Sequence, residues 1–383
     1  MLKKSLNSFE NNVTKISRKD FSLWQKIINT PSEGKIKIKK DILYLWEKYD
    51  LGIALQALYR QQVNCGFVLS DPLDFLNAEN EKSFYDPITK ISFLAQWNPD
   101  RALRKNHRLL IQRGIIEDNI DEKKLINRDK KGKACYLCIN NINLQNPKEI
   151  ALPLVLAGEP FYAGANFASI SNHHFTIFHK QHRPQQYRKE IFPIMEDFLE
   201  QTEGSFRIIY NGLAGASIEA HEHFQTTSIS FPVEEIVFNK KDIIYNEKDV
   251  RILKPYYYLP LWIVEGNNWD KLNHILNNLI NQWHSQRPNY HTENILGVKS
   301  GSLFRFFIFL RDRNKLDVKE KEGALATFEV AGLLVFSEFV KKTAGEKLEK
   351  GFFYLLTLDI IKNILKKIAP KDNLNPNSLK MGL

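Results

Sequence analysis

The stretch Tyr210-Asn-Gly-Leu-Ala-Gly-Ala-Ser217-Ile-Glu-Ala-His221-Glu-His223-Phe-Gln225 decides the reading of this 383-residue chain. Taken as a strand from His221 to Ser230, it alternates, and side chains two apart share a face. His221, His223 and Gln225 then point one way, with roughly 7 Å between neighbours. Glu222 and Phe224 point the other way. Just before them, Gly212, Gly215 and Ala216 form a small-residue loop, which lets backbone N–H groups approach a phosphate closely. A histidine beside such a loop can attack phosphorus and form a phosphoramidate. A bare H-x-H is more often a pair of polar strand residues. The loop, with Ser217 and Gln225 in register, favours the chemical reading.

Outward from this stretch, Ile150 to Ala157, His174 to His179 and Phe206 to Tyr210 read as strands. Gln185 to Gln201 reads as a helix, bent or started anew at Pro193. The pattern predicts an α+β unit with a mostly antiparallel sheet. Downstream, Tyr258 to Val264 reads as a strand. Asn268 to His284 is the clearest helix, with Leu272, Ile275, Leu276, Leu279 and Trp283 on one face. Arg305 to Leu310 is a strand again. The order echoes the first unit without its histidines, so the expected fold is a duplication whose second copy is degenerate. Ala324 to Lys341 and Phe352 to Ile368 read as closing helices. Upstream, apolar spacing in Asp41 to Gln62 reads as helix and Ser92 to Trp97 as a strand. Asp118 to Lys133 is polar and reads as an exposed connection. The expected division is a mainly helical region over 1–90, a catalytic unit over 91–235, and the second unit with closing helices over 250–383.

Composition narrows the classes. With 43% hydrophobic and 26% charged residues, the chain is globular rather than disordered. The first residues are basic but carry no apolar signal region, and no apolar run is long enough to span a bilayer. Both point to a cytoplasmic protein without a membrane partner. The net charge of +10 lies partly in Lys35 to Lys40 and Lys130 to Lys133. No aromatics interleave these stretches, so they read as solvated surface rather than a nucleic-acid groove. A small anionic ligand suits the excess charge. Two of the three cysteines form Cys135-Tyr-Leu-Cys138. An isolated C-x-x-C in such a chain suggests a metal site, a redox pair or simply two buried thiols.

The H-x-H-x-Q segment resembles the histidine-triad superfamily, in its transferase branch. That branch contains galactose-1-phosphate uridylyltransferase, diadenosine tetraphosphate phosphorylase and GDP-L-galactose phosphorylase. The resemblance implies a histidine-triad-like antiparallel sheet with helices. It implies His223 as nucleophile, and Gln225, Ser217 and Asn211 as contacts to the transferred phosphate. Glu222 departs from the family, which has proline or an apolar residue there. Three further stretches match in the family's order. Trp97-Asn-Pro-Asp-Arg101-Ala-Leu-Arg104 resembles a P-x-R-A-x-R stretch, which implies Arg101 and Arg104 as phosphate ligands. Cys135 and Cys138 match the uridylyltransferase cysteines. His182, in His-Lys-Gln-His182-Arg-Pro-Gln, matches an earlier family histidine. Together these imply that Cys135, Cys138, His182 and His221 hold a structural zinc ion. Two thiolates and two imidazoles suit tetrahedral zinc.

The expected activity is therefore nucleotidyl transfer or phosphorolysis. The donor is a nucleoside diphosphate sugar or a dinucleoside polyphosphate, and the acceptor is phosphate or a sugar phosphate. The alternatives are a histidine-triad hydrolase, with water as acceptor, and a non-catalytic nucleotide-binding zinc protein. Gln225, in place of a third histidine, argues against the hydrolase. Gly158-Glu159-Pro160-Phe161, where uridylyltransferases carry a base-contacting asparagine, argues against uracil specificity.

Overall fold

Three helices open the described chain: α1 (Arg18–Ile28), α2 (Lys35–Lys48) and α3 (Leu51–Asn64). The side chain of Ser17 accepts the Asp20 N–H to start α1, and that of Asp50 accepts the Ile53 N–H to start α3. The stretch read as helical over Asp41 to Gln62 falls on two helices. It breaks at Tyr49 and Asp50, where Asp50 leaves helical geometry to cap the next segment. The computed structural model describes residues 16–71, 80–103, 107–129, 132–247, 249–315, 325–337 and 351–375.

Strands β1 (Glu81–Tyr85) and β2 (Ser92–Trp97) form an antiparallel hairpin. Pro99 begins a short helix, α4 (Pro99–Leu103), in the first turn where its missing N–H costs nothing. A second short helix, α5 (His107–Gln112), and a long connection, mostly exposed over the described residues of 117–133, lead to α6 (Ile139–Gln145), whose first residue follows Cys138.

Then comes the large sheet. Its first half runs β3 (Leu152–Leu156), β4 (Glu159–Ala165), β5 (Phe175–His179), α7 (Ile191–Gln201), β6 (Arg207–Asn211) and β7 (His223–Thr227). Its second half runs β8 (Ile243–Glu247), β9 (Val250–Leu253), β10 (Leu261–Gly266), α8 (Trp269–Gln286), β11 (His291–Ser300) and β12 (Leu303–Asp312). The ten strands lie in the order β3-β4-β5-β7-β6-β11-β12-β10-β9-β8, and every neighbouring pair is antiparallel. Each half has three strands, a helix and two strands, with the last strand inserted between the third and fourth. The two fourth strands, β6 and β11, pair with each other. This is the duplicated α+β architecture, with the halves meeting along one strand pair.

Helices α7 and α8 cover one face of the sheet. Phe192, Met195, Phe198, Leu276, Leu279 and Trp283 pack there with Tyr210, Ile295, Phe306 and Ile308, and α1–α3 join the same core. Pro193 is the third residue of α7, so it sits in the first turn and bends nothing. The preceding residues 185–190 are not helical. On the opposite face, Ile209, Leu296, Phe307 and Phe309 form a second core with β2 and the C-terminal elements. These are α9 (Thr327–Val330), β13 (Leu333–Phe336) and α10 (Leu358–Ile368). Of the closing helix expected over Ala324 to Lys341, residues 325–337 are described, and those form one turn of helix and a strand instead. After one turn of helix, Gly332 at φ 102° redirects the chain, and Leu333-Leu-Val-Phe pairs in parallel with β2. A short apolar run with a glycine break suits a buried strand better than a helix. Among the described residues no helix is long and apolar enough to cross a membrane.

Candidate functional site

β7 begins at His223, so His221 and Glu222 belong to the turn before it rather than to the strand. The reason is local. The Glu222 N–H donates to the Arg183 carbonyl at 2.6 Å, which diverts the chain into a pairing with the segment after β5. Gln185, in that segment, brackets the start of the strand. Its Oε1 accepts the His223 N–H at 2.7 Å, and its Nε2 donates to the carbonyls of His223 at 3.0 Å and Asn211 at 2.7 Å. Gln185 is buried, and sequence reading gave it no role.

The ring of His223 is almost wholly buried. Its Nδ1 lies 2.8 Å from the His221 carbonyl oxygen, an acceptor only, so Nδ1 carries the proton and donates it there. Nε2 is left with its lone pair. Burial also holds this imidazole below its ordinary pKa, which keeps it neutral. The arrangement presents a neutral, fixed ring nitrogen, chemically capable of acting as a nucleophile. Gln225, two residues along β7, lies on the same face of the sheet.

Asn211 ends β6. The β6–β7 register, with Ile209 opposite Gln225, sets Asn211 beside His223 when carried two residues on. Ser217 lies in the turn between the two strands, is exposed, and makes no hydrogen bond among the described residues. Gly215 in that turn has φ 104°, and a Cβ there would stand 2.8 Å from the Cα of Ala326, so only glycine fits. Arg101, on α4, donates to the Ala168 carbonyl at 3.1 Å. Arg104 lies outside the described residues.

A second constellation adjoins the first. One ligand atom from each of Cys135, Cys138, His182 and His221 falls within 4.8 Å of all the others. Nδ1 of His221 is 3.4 Å from the Cys135 sulfur and 3.8 Å from that of Cys138, and Nδ1 of His182 is 3.4 Å from the Cys138 sulfur. Around a tetrahedral zinc ion, such atoms stand roughly 3.3–3.8 Å apart. The other ring nitrogen of His221 is 2.7 Å from the His179 carbonyl, so Nε2–H donates and Nδ1 keeps its lone pair toward the sulfurs. Burial pushes His221 down to about 4, and pushes the Cys135 thiol up to about 11 with help from the neighbouring Cys138. A neutral imidazole is what a metal needs. Two crowded thiols give up their protons readily only to a cation. The donor set fits zinc.

Behind the strand, Glu222 is 1% exposed. It accepts from Arg183 Nη2 at 2.7 Å and Arg188 Nε at 2.9 Å, and both arginines also pair with Glu159. The acid that replaces an apolar residue is therefore matched by two cations that sequence reading had not connected to it. His179, the last residue of β5, is buried with its Nε2 3.5 Å from Glu159.

Parts of the chain are similar to known proteins. A domain family of unknown function, DUF4922, matches residues 87–228. A stretch of this chain is 34% identical over 110 residues to galactose-1-phosphate uridylyltransferase from Caldanaerobacter subterraneus subsp. tengcongensis. The chain is similar to the transferase branch of the histidine-triad superfamily. The match covers 26% of this chain and 21% of that enzyme, so the chain spans about a fifth of the relative's length. Among solved structures, yeast Ap4A phosphorylase Apa2 in complex with Ap4A has a TM-score of 0.46 at 13% identity, over 76% of this chain and 88% of that one. A DUF4931 family protein from Bacillus cereus has a TM-score of 0.30 at 8% identity, over 54% and 95%.

Proposed function

We propose that the protein is a nucleotidyltransferase or phosphorylase acting through a covalent nucleotidyl-His223. The observation that carries this reading is the commitment of His223 Nδ1–H to the His221 carbonyl, which leaves Nε2 as a buried, neutral nucleophile. In the first step the Nε2 lone pair attacks the α-phosphorus of a nucleoside diphosphate sugar or a dinucleoside polyphosphate. The bond from phosphorus to the bridging oxygen breaks, and its electron pair leaves on the departing phosphate. The imidazolium character that develops is stabilised through Nδ1–H at the carbonyl. Gln225, the side-chain NH2 of Asn211, Ser217 and backbone N–H groups of the 212–217 turn, other than those of Gly212 and Ala216, which donate to carbonyls, face the charge growing on the phosphoryl oxygens. Arg101 and Arg104 bind the outer phosphates through their guanidinium charge. In the second step an oxygen of inorganic phosphate or a sugar phosphate attacks phosphorus from the side opposite His223, where the first leaving group departed; the P–Nε2 bond breaks, its electron pair returns to nitrogen, and the neutral imidazole is restored.

Cys135, Cys138, His182 and His221 hold a structural zinc ion in this reading. Bound there, it ties the C-x-x-C loop to the turn before β7 and contributes to folding. The chain's own residues carry every bond change.

The test is direct labelling. The wild-type protein is incubated with α-phosphorus-labelled UDP-, GDP- and ADP-sugars and dinucleoside polyphosphates, then denatured in alkali. An acid-labile protein adduct is expected with at least one donor, and none in a folded His223→Ala variant. Chase with phosphate, sugar phosphate or buffer alone separates phosphorylase, transferase and hydrolase. Labelling retained in His223→Ala would falsify the mechanism.

A further inference from the structure

The pair of strands that joins the two halves carries an asparagine from each: Asn211 at the end of β6 stands directly opposite Asn294 of β11. Oδ1 of Asn211 accepts three hydrogen bonds. Nδ2 of Asn294 donates at 2.7 Å, the Thr327 N–H at 3.0 Å and the Thr327 hydroxyl at 2.6 Å. An amide oxygen offers two lone pairs, so three donors saturate it and fix which end of the amide is which. The Asn211 NH2 has no hydrogen-bond partner among the described residues, and it is the end left for a ligand.

All three donors come from beyond the first half. Asn294 is in β11, and Thr327 opens α9. The segment 325–327 is pinned to the second half by Arg311, which is wholly buried. Its Nη1 donates to the Leu325 carbonyl at 2.8 Å and also to Oδ1 of Asn294. Ala326 presses on Gly215 of the turn, where no Cβ would fit. At the matching position the second half has no histidine: beside Asn294 the register puts Phe309, where beside Asn211 it puts His223. What the second half supplies is the donor set on Asn211.

We propose that Thr327 is a positioning residue for transfer at His223, acting through Asn211. It locks the Asn211 oxygen away from the substrate and turns the NH2 toward the transferred phosphoryl group. The proposal rests on the nucleotidyl-transfer reading above. Thr327→Val keeps the shape and the backbone N–H but removes the hydroxyl donor. Single-turnover labelling with the best donor from the screen is expected to slow by about tenfold, the worth of one net hydrogen bond, with donor KM nearly unchanged. Thr327→Ser, which restores the hydroxyl, is expected to recover most of that loss. In an Asn211→Ala background, Thr327→Val should slow labelling no further, because the residue through which it acts is gone. A merely structural role for Thr327 would lower the melting temperature alike in both backgrounds and leave Ser and Val indistinguishable in rate. Wild-type labelling with unchanged rates in Thr327→Val, or full additivity with Asn211→Ala, overturns the positioning role alone. Absence of labelling in the wild type overturns the activity itself, and the positioning role falls with it.

Discussion

The side-chain amide of Gln185 spans both main-chain groups of His223, accepting from its N–H at 2.7 Å and donating to its carbonyl at 3.0 Å. The same Nε2 reaches the Asn211 carbonyl, so one buried glutamine sets the spacing between His223 and Asn211. It lies three residues after His182, which links the metal-type cluster to the reacting strand through a single turn of chain.

Gln185→Ala should therefore damage both stability and chemistry. It strands one buried N–H and two buried carbonyls, each worth roughly 1–3 kcal/mol when unsatisfied. Partial relaxation brings the expected loss to about 2–4 kcal/mol in urea unfolding. Adduct formation should fall at least tenfold at a temperature where the variant is folded. A wild-type unfolding midpoint would show that water replaces the amide without cost.

Glu222 gives a second test. It is nearly inaccessible and pairs with Arg183 and Arg188, which are themselves partly exposed and retain Glu159. Removing one partner of a buried pair leaves uncompensated charge, but the remaining glutamate softens the loss. Glu222→Ala is expected to cost about 1–3 kcal/mol. Combined with Arg188→Ala the losses should be less than additive, because the two residues touch. Strict additivity would mean that the ion pair contributes nothing beyond packing.

Glu149 is a buried acid, and it predicts how stability depends on pH. Its carboxylate is held by the Asn146 amide at 2.6 Å, and a Cβ on Gly164 would stand 2.5 Å from its other oxygen. Burial raises its pKa from 4.5 to about 7. The folded chain therefore holds a proton that the unfolded chain has released, and stability falls as pH rises between these values. Above that window the buried charge costs on the order of 2–3 kcal/mol. Glu149→Gln should be more stable than wild type at pH 8, with the difference shrinking toward pH 5. Equal midpoints at pH 8 would show that the carboxylate is not desolvated.

Sequence reading reached the local parts and stopped at the long-range ones. The helix from Asn268 was legible because its apolar period is unbroken, and the structure starts it one residue later with Asn268 as cap. The strands β8, β9 and β11 leave little trace in the sequence, since short or mixed-polarity strands carry little period of their own. β4 was missed because Pro160, which pairs at its edge with Val155, reads as a breaker. At the site, His223 and Gln225 announce themselves by alternation. Gln185, Asn294 and Thr327 do not. They act across 38, 83 and 116 residues of chain, and nothing in their own neighbourhoods marks them. Glu222 looked out of place for the same reason, as its two arginines lie 39 and 34 residues away.

The cluster of Cys135, Cys138, His182 and His221 yields the last prediction. Cys135 and Cys138 flank a turn before α6, His182 follows β5, and His221 precedes β7. A metal ion there would staple three separated segments, so its loss should show in folding before it shows in chemistry. Elemental analysis of protein purified without chelator is expected to give one zinc per chain. Stripping with a strong chelator should lower the thermal midpoint and restore it on adding zinc. Cys138→Ser should lose the metal and melt early, yet keep part of its labelling activity below the midpoint, because His223 Nδ1 bonds a carbonyl and not a ligand atom. His221→Ala should be harsher. It removes a ligand, together with the hydrogen bond to His179 that fixes the turn presenting its carbonyl to His223. Two results would sink the site: no stoichiometric metal in protein that labels normally, or metal retained undiminished in both the Cys135→Ser and Cys138→Ser variants.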